Sequence, residues 1–287
     1  MVESMIIFGG TKGIGKAVAI YFASKGTKVT VAARTIGDLG EPIQQMNYVT
    51  VDVSQPMQIE EAFASHKTVY NNYPELVINT AAMQGPIGYS WDIDSDIWID
   101  NINTNLIGSF NVASVAIRTM MTSGSGSIIM FSGGGAVFSR PYLSAYSISK
   151  TGILRMVEVM NDELKLAGYS SITIHAIAPG AVKTGMTEEI MRSKLSRTTQ
   201  EMQAAQETIK TGGTELSLTF SIIEFLSERD NGRRLSGRLI HVKEPYQDII
   251  NLYPEHVPDD LGKLRRIPIQ GGVYFYEYCD YRMWIDR

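Results

Sequence analysis

A doubly wound α/β fold, a parallel sheet covered by helices on both faces, is predicted by three observations. Short apolar runs alternate with longer amphipathic stretches along most of the 287 residues. The runs are nearly continuous in Val and Ile, as strands buried on both faces tend to be. A glycine-rich turn joins the first run to the first amphipathic stretch. The hydrophobic content of 44% and charged content of 20% suit one large domain with a well-buried core.

The elements follow in order. Residues 4–10 (SMIIFGG) read as the first strand and its exit. Residues 13–26 read as an amphipathic helix, with Gly26 placed to end it. Further strands are predicted at 28–34, 48–53, 75–82, 126–133, 171–180 and 235–242, with helical stretches between nearly all of them. Two regions break the rhythm. One is a polar stretch from Gly185 to Thr214, and the other is a tail beyond Val242. The expected organisation is a dinucleotide-binding catalytic domain over 1–243, with 185–214 covering the substrate, and an aromatic-rich extension over 244–287. In a sheet of this kind, ligands bind beyond the carboxyl ends of the strands. The chemically interesting residues should therefore stand just after each strand.

Several function classes are excluded at this level. A formal net charge of -4 argues against a nucleic-acid binder. No apolar run approaches the roughly 18 residues of a membrane helix, and no signal-peptide pattern precedes the first strand, so a cytoplasmic protein is expected. The single cysteine, Cys279, has no intrachain partner for a disulfide. His66, His175, His241 and His256 are scattered without ligand spacing, so they are expected to be structural and no metal site is predicted.

The turn Phe8–Gly15 (FGGTKGIG) carries Gly9, Gly13 and Gly15, with Thr11, Lys12 and Ile14 between them. Glycines there let the backbone approach a pyrophosphate, which then faces the N–H groups and positive dipole end of the following helix. A glycine loop alone is a weak signal. Further patterns follow in order: Val51-Asp52-Val53; Asn79-Thr80-Ala81-Ala82; TNLIGSF around Asn105; AYSISK with Tyr146 and Lys150; and PGAVKT from Pro179 to Thr184. Together they resemble the short-chain dehydrogenase/reductase family over roughly residues 4–243. The resemblance implies a Rossmann-type fold binding a nicotinamide cofactor. It implies adenine contact at Asp52 and Val53, and support of the central sheet by Asn79 beside Ala81. It also places Gly180, the Val182 backbone and Thr184 near the nicotinamide amide. Phe8, Thr80 and Ala82 depart from the family's usual residues, at positions that support structure more than chemistry.

The cofactor is expected to be NADP(H). An acid at the end of the second strand would bind the ribose 2′-hydroxyl of NAD, whereas a nearby arginine accommodates the 2′-phosphate of NADP. Here Arg34 stands at that place, followed by Thr35, and Lys12 adds a second cation from the glycine loop.

Tyr146 and Lys150 lie four residues apart and share one face of a helix. An ammonium favours the phenolate and lowers a tyrosine pKa from its usual value near 10, which fits Tyr146 for acid–base work on a carbonyl or alcohol. The resemblance implies that Lys150 also holds the nicotinamide ribose, and that Asn105 anchors a water for proton resupply. Tyr142 is a decoy, because Tyr146 occupies its +4 position. The family places a serine thirteen residues before the tyrosine, and that position is Gly133; Ser132 comes one residue early. A one-residue shift on a regular strand reverses the face. Three arrangements follow: the Ser-Gly-Gly-Gly strand end lets Ser132 swing in, a backbone or substrate group replaces the serine, or the site only binds cofactor.

Within the cover, Met186, Met191 and Met202 could form an adaptable lid or ordinary core. Arg192, Lys194 and Arg197 could meet an anionic substrate or form a solvated face. The tail holds eight aromatic residues: Tyr246, Tyr253, Tyr274, Phe275, Tyr276, Tyr278, Tyr281 and Trp284. Such a segment should bury itself on its own subunit, on a neighbour or over the cleft, with a subunit interface the leading expectation. Lys263, Arg265 and Arg266 could bind phosphate or pair with surface acids. The family's habit implies a homodimer or homotetramer. The expected activity is NADPH-dependent hydride transfer to or from a small-molecule carbonyl or alcohol. A cofactor-retaining epimerase or dehydratase, or a non-catalytic sensor or scaffold, is the alternative.

Overall fold

Each sequence-predicted strand forms. They are β1 (Ser4–Phe8), β2 (Lys28–Ala33), β3 (Met46–Thr50), β4 (Leu76–Asn79), β5 (Gly126–Phe131), β6 (Ile172–Ala178) and β7 (Leu239–His241). The computed structural model of the chain describes residues 2–36 and 46–264. Cys279, Arg265, Arg266 and the aromatic residues from Tyr274 onward lie outside the described residues. The strands make one parallel sheet in the order β3-β2-β1-β4-β5-β6-β7. The chain builds outward from β1 to β3, returns to β4 on the other side of β1, and continues to β7. This is the predicted doubly wound fold, and its reversal point opens a crevice between the ends of β1 and β4.

Burial explains the strand composition. All five residues of β1 and all seven of β6 are buried, so neither face tolerates a charge. One face packs on α2 (Pro56–Tyr70), α4 (Gly108–Ser123) and α5 (Ser144–Leu166); Ile6, Val77, Ile128 and Ile174 point into that layer. The other packs on α1 (Gly13–Ser24) and α8 (Leu216–Ser227), through Ile7, Val29, Ile78 and Ile129. Tyr21 of α1 stacks on Phe220 of α8 at 4.2 Å between ring centroids.

Helix ends follow their local chemistry. Gly26 takes the predicted left-handed conformation just past α1. Pro56 begins α2 where its missing N–H costs nothing. Asp94 caps α3 (Ser95–Ile102), accepting from the Asp96 N–H at 2.8 Å. Between α3 and α4, Asn103–Ile107 forms a π-turn, with the Gly108 N–H bonded to the Asn103 carbonyl five residues back.

Two strand boundaries differ from expectation. β3 ends at Thr50, because Asp52 folds its carboxylate onto the Ser54 N–H at 2.9 Å and makes a turn of residues 52–55. β7 begins only at Leu239, since α9 (Arg229–Leu235) runs into the stretch expected to be strand. No helix among the described residues is long and apolar enough to cross a membrane.

The described part of the tail folds onto its own chain. In α10 (Tyr246–Leu252), Tyr246 packs against Phe225 at 4.9 Å between centroids. The chain then returns along the outer edge of β7, where the Gly262 carbonyl accepts from the Leu239 N–H at 2.8 Å. Buried Arg238 donates to the carbonyls of Leu261 at 2.8 Å and Val257 at 3.1 Å. The Leu264 N–H reaches Glu158 of α5 at 2.6 Å. An edge strand is thereby covered by the chain's own backbone.

Candidate active site

A cavity of about 350 Å³ lies at the reversal point of the sheet, beyond the carboxyl ends of the strands. It runs from the loop after β1 to the start of α5. Gly9, Thr11, Lys12, Gly13, Ile14 and Gly15 line one end. Arg34, Thr35, Val53 and Ala81 line its flank. Ser132, Tyr146, Lys150, Pro179 and Thr184 line the other end. Thus fifteen of the sequence-predicted residues meet in one place. Asp52, Asn79, Asn105, Gly180 and Val182 do not line it. For Asp52 the reason is its turn-forming hydrogen bond, which leaves Val51 and Val53 to flank the cavity. Thr104, from the TNLIGSF pattern, and Met186, from the cover, line it as well, as do Phe131 and Glu189, which no motif marked.

The loop glycines serve different ends. A Cβ on Gly9 would lie 2.6 Å from the Ala81 nitrogen, and Gly9 has φ of 79°, so its glycine is demanded by the neighbouring loop. Gly13 is different: a Cβ there would meet only Thr184 at 3.5 Å. Its missing side chain opens the backbone to the cavity. The first turn of α1 has no side-chain cap and no acidic residue, so its N–H groups and positive dipole end are left for an anion. Arg34 and Thr35 are exposed at the end of β2. These residues fit a dinucleotide with pyrophosphate at α1 and a ribose phosphate by Arg34 and Lys12.

At the other end, β5 and α5 are locked by two reciprocal bonds. The Lys150 Nζ donates to the Phe131 carbonyl at 2.8 Å, and the Ser132 Oγ donates to the Lys150 carbonyl at 3.1 Å. Ser132 is thus turned into the strand–helix contact, and the swung-in arrangement of its hydroxyl is not the one observed. Gly133 occupies the place facing the tyrosine: a Cβ there would stand 3.5 Å from the Tyr146 hydroxyl. Lys150 lies 5.5 Å from the Tyr146 ring centroid. Burial lowers the Lys150 pKa to about 8. Burial raises that of Tyr146; Arg140 pulls it down and Glu201 pushes it up.

Asn105 sits inside the π-turn, fully buried. Its Oδ1 accepts from the Met83 N–H at 2.8 Å, and its Nδ2 donates to the Met83 carbonyl at 3.0 Å and toward Ser149 at 3.3 Å. It therefore pins the loop after β4 against α5, reaching the neighbour of Lys150. Asn79 similarly accepts from the Ala81 N–H at 3.0 Å. The histidines are structural in their surroundings: His66 bonds Thr30 at 2.8 Å, and His175 meets the Leu235 carbonyl at 3.3 Å. Exposed His256 pairs with Asp259 at 3.5 Å.

The cover forms two helices, α6 (Gly185–Arg192) and α7 (Gln200–Thr211). Its ends are tied together, with the Thr214 N–H donating to the Ala181 carbonyl at 2.7 Å. The methionines divide between the two expectations: Met202 is buried core, Met186 lines the cavity, and Met191 is exposed. Lys194 and Arg197 are exposed, and Arg192 pairs with Glu188 at 3.0 Å on the same helix. Sequence reasoning missed one feature here. Arg140, in the loop before α5, grips Glu201 of α7 through Nε and Nη2, with the Nε at 3.1 Å from both carboxylate oxygens. The Arg140 guanidinium carbon lies 5.7 Å from the Tyr146 ring centroid. Nothing in the sequence pairs Arg140 with Glu201.

The short chain dehydrogenase family model matches residues 3–195. The 3-oxoacyl-(acyl-carrier-protein) reductase FabG of Chlamydia trachomatis is 28% identical over 198 residues, covering 66% of this chain and 77% of that protein. The NADPH-dependent aldehyde reductase-like protein of Arabidopsis thaliana chloroplasts is 24% identical over 260 residues, 84% of this chain and 93% of that one. Among solved structures, levodione reductase superposes with a TM-score of 0.72 at 21% identity, covering 83% of this chain and 95% of its own. An ElxO variant with NADPH bound gives a TM-score of 0.70 at 22% identity, with 84% and 97% covered. The chain belongs to the short-chain dehydrogenase/reductase family.

Proposed function

We propose that the chain is an NADPH-dependent reductase of small-molecule carbonyl compounds, with the reverse alcohol oxidation open to it. The observation that carries this reading is the placement of Tyr146 and Lys150 at one end of a cavity whose other end holds the uncapped start of α1 and the cations Lys12 and Arg34. The NADPH named for the ElxO structure and the Arabidopsis relative supports the same cofactor.

A bound nicotinamide supplies the hydride. The chain's residues do the rest. Arg34 and Lys12 receive the ribose phosphate, while the backbone of Gly13 to Gly15 and the start of α1 receive the pyrophosphate. Thr184, at the nicotinamide end of the cavity, would hold the nicotinamide amide. Tyr146 gives its proton to the carbonyl oxygen as the carbon accepts the hydride, and regains one from solvent. Lys150, charged, stabilises the transient phenolate and holds the nicotinamide ribose. Asn105 positions the loop after β4 and the proton path beside Ser149. With Gly133 at the usual serine position, a group other than a serine hydroxyl orients the carbonyl. A homodimer or homotetramer in the cytoplasm completes the proposal.

The test is NADPH consumption with a panel of aldehydes and ketones, followed at 340 nm by loss of absorbance. Equimolar NADPH oxidation and alcohol formation is the expected result. Product formed with no net change in NADPH would instead mark a cofactor-retaining isomerisation.

A further inference from the structure

The Ser-Gly-Gly-Gly strand end makes a floor. A Cβ on Gly133 would stand 3.5 Å from the Tyr146 hydroxyl, one on Gly134 would meet nothing within 4 Å, and one on buried Gly135 would meet the Ser147 Oγ at 3.2 Å and the Arg140 Cδ at 3.5 Å. Three side-chain-free residues thus run from the proton donor to the stem of an arginine. At the far end of this floor, Glu201 holds the Arg140 guanidinium by Nε and Nη2. The Nη1 makes no hydrogen bond among the described residues, which leaves its two N–H donors for a ligand.

The pair is costly for a merely structural tie. The Glu201 side chain is 9% exposed and that of Arg140 25% exposed. A desolvated ion pair can often be replaced by apolar residues with no loss of stability, so the fold itself does not require one. What the pair does provide is a guanidinium fixed in direction beside Tyr146, since a two-point grip on one edge leaves the planar group no freedom to turn.

We infer that Arg140, braced by Glu201, is a specificity-determining residue that binds a second oxygen of the substrate, set two or three bonds from the reacting carbonyl and lying over the Gly133–Gly135 floor. The inference rests on the reductase reading above. The substrate class is an oxygenated carbonyl compound: a dicarbonyl, a hydroxy ketone or a keto acid. All share an acceptor that the Nη1 donors can reach. A site built to donate to a substrate oxygen discriminates against the analogue that lacks it, because the donor is then left unpaired.

The experiment compares kcat/KM for a β-keto ester, a 2-oxo acid and a plain ketone of matched size, in the wild type, Arg140→Met and Arg140→Lys. NADPH affinity and melting temperature are measured on each. The wild type should prefer one or both oxygenated compounds by about 10- to 100-fold, the range of a hydrogen bond to a charged group. A preference for the 2-oxo acid alone identifies an anionic second oxygen; one shared with the ester identifies a neutral acceptor. Arg140→Met should abolish the preference, lowering kcat/KM for the oxygenated compounds by about 10-fold or more beyond any loss on the plain ketone, with Arg140→Lys keeping part of it. An equal loss on all three compounds, or no preference in the wild type, overturns the inference while leaving the reductase reading intact. No NADPH consumption by the wild type on any compound removes both.

Discussion

The Cβ position of Gly133 faces the Tyr146 hydroxyl at 3.5 Å, while the Ser132 hydroxyl one residue earlier donates to the Lys150 carbonyl at 3.1 Å. The strand therefore keeps its regular alternation through its last residues, and the extra glycines do not re-aim the serine. The two neighbouring positions have separate tasks: Ser132 locks β5 to α5, and Gly133 leaves space before the tyrosine.

This separation predicts opposite outcomes for two variants. Gly133→Ser places a hydroxyl beside Tyr146 on an extended backbone that any residue adopts, φ 169°. With a small ketone, kcat should rise about tenfold or more, since one oriented donor to a developing oxyanion is worth on the order of 10²-fold in other enzymes. Ser132→Ala should lower stability by about 0.5–1.5 kcal/mol, through loss of one buried hydrogen bond between β5 and α5, without a selective effect on the chemical step. Steady-state kinetics and urea unfolding of both variants check this.

The proposed NADPH preference rests on Arg34 at the end of β2. Arg34→Ala should weaken NADPH binding by about 10- to 100-fold, through loss of a charge-assisted hydrogen bond, and leave NADH binding nearly unchanged. Fluorescence titration of both cofactors reads the difference. Equal affinities in the wild type, unmoved by the substitution, contradict it.

Acid should unfold the protein through its buried imidazoles. Burial lowers His66, His175 and His241 from 6.5 to about 4 each. Between those values the unfolded chain binds protons that the native state does not, so stability is full above about pH 6.5 and falls as pH drops toward 4. Each such proton gives a slope of about 1.4 kcal/mol per pH unit. Urea midpoints between pH 7 and pH 4.5 should therefore fall, and calorimetry should register proton uptake on unfolding.

Removing residues 244–287 should lower the melting temperature by more than about 10 °C or yield insoluble protein. The deletion strips the Val257 and Leu261 carbonyls from buried Arg238 and bares the β7 edge, and weakening the partners of a buried charge costs up to about 3–5 kcal/mol. Thermal unfolding of the truncated chain against the full one is the check.

The sheet was legible because its Val- and Ile-rich runs are buried on both faces and have few alternatives. The cavity was legible where glycine, tyrosine and lysine stand at fixed spacings after strands. Asp52 does not line the cavity, and its carboxylate closes its own turn onto Ser54, a use no motif signals. The Arg140–Glu201 pair could not be read at all, since 61 residues separate two side chains that only the folded cover brings together. The tail's course along β7 was hidden for the same reason: it depends on main-chain bonds, such as Leu239 to Gly262, that carry no side-chain signature.

The central claim is that Tyr146 delivers the proton in an NADPH-dependent reduction. Single-turnover oxidation of bound NADPH by an accepted carbonyl compound, wild type against Tyr146→Phe, tests it most directly. The account predicts that the variant binds NADPH with unchanged affinity and reduces the substrate at least about 10²-fold more slowly. A variant that turns over at the wild-type rate would contradict it.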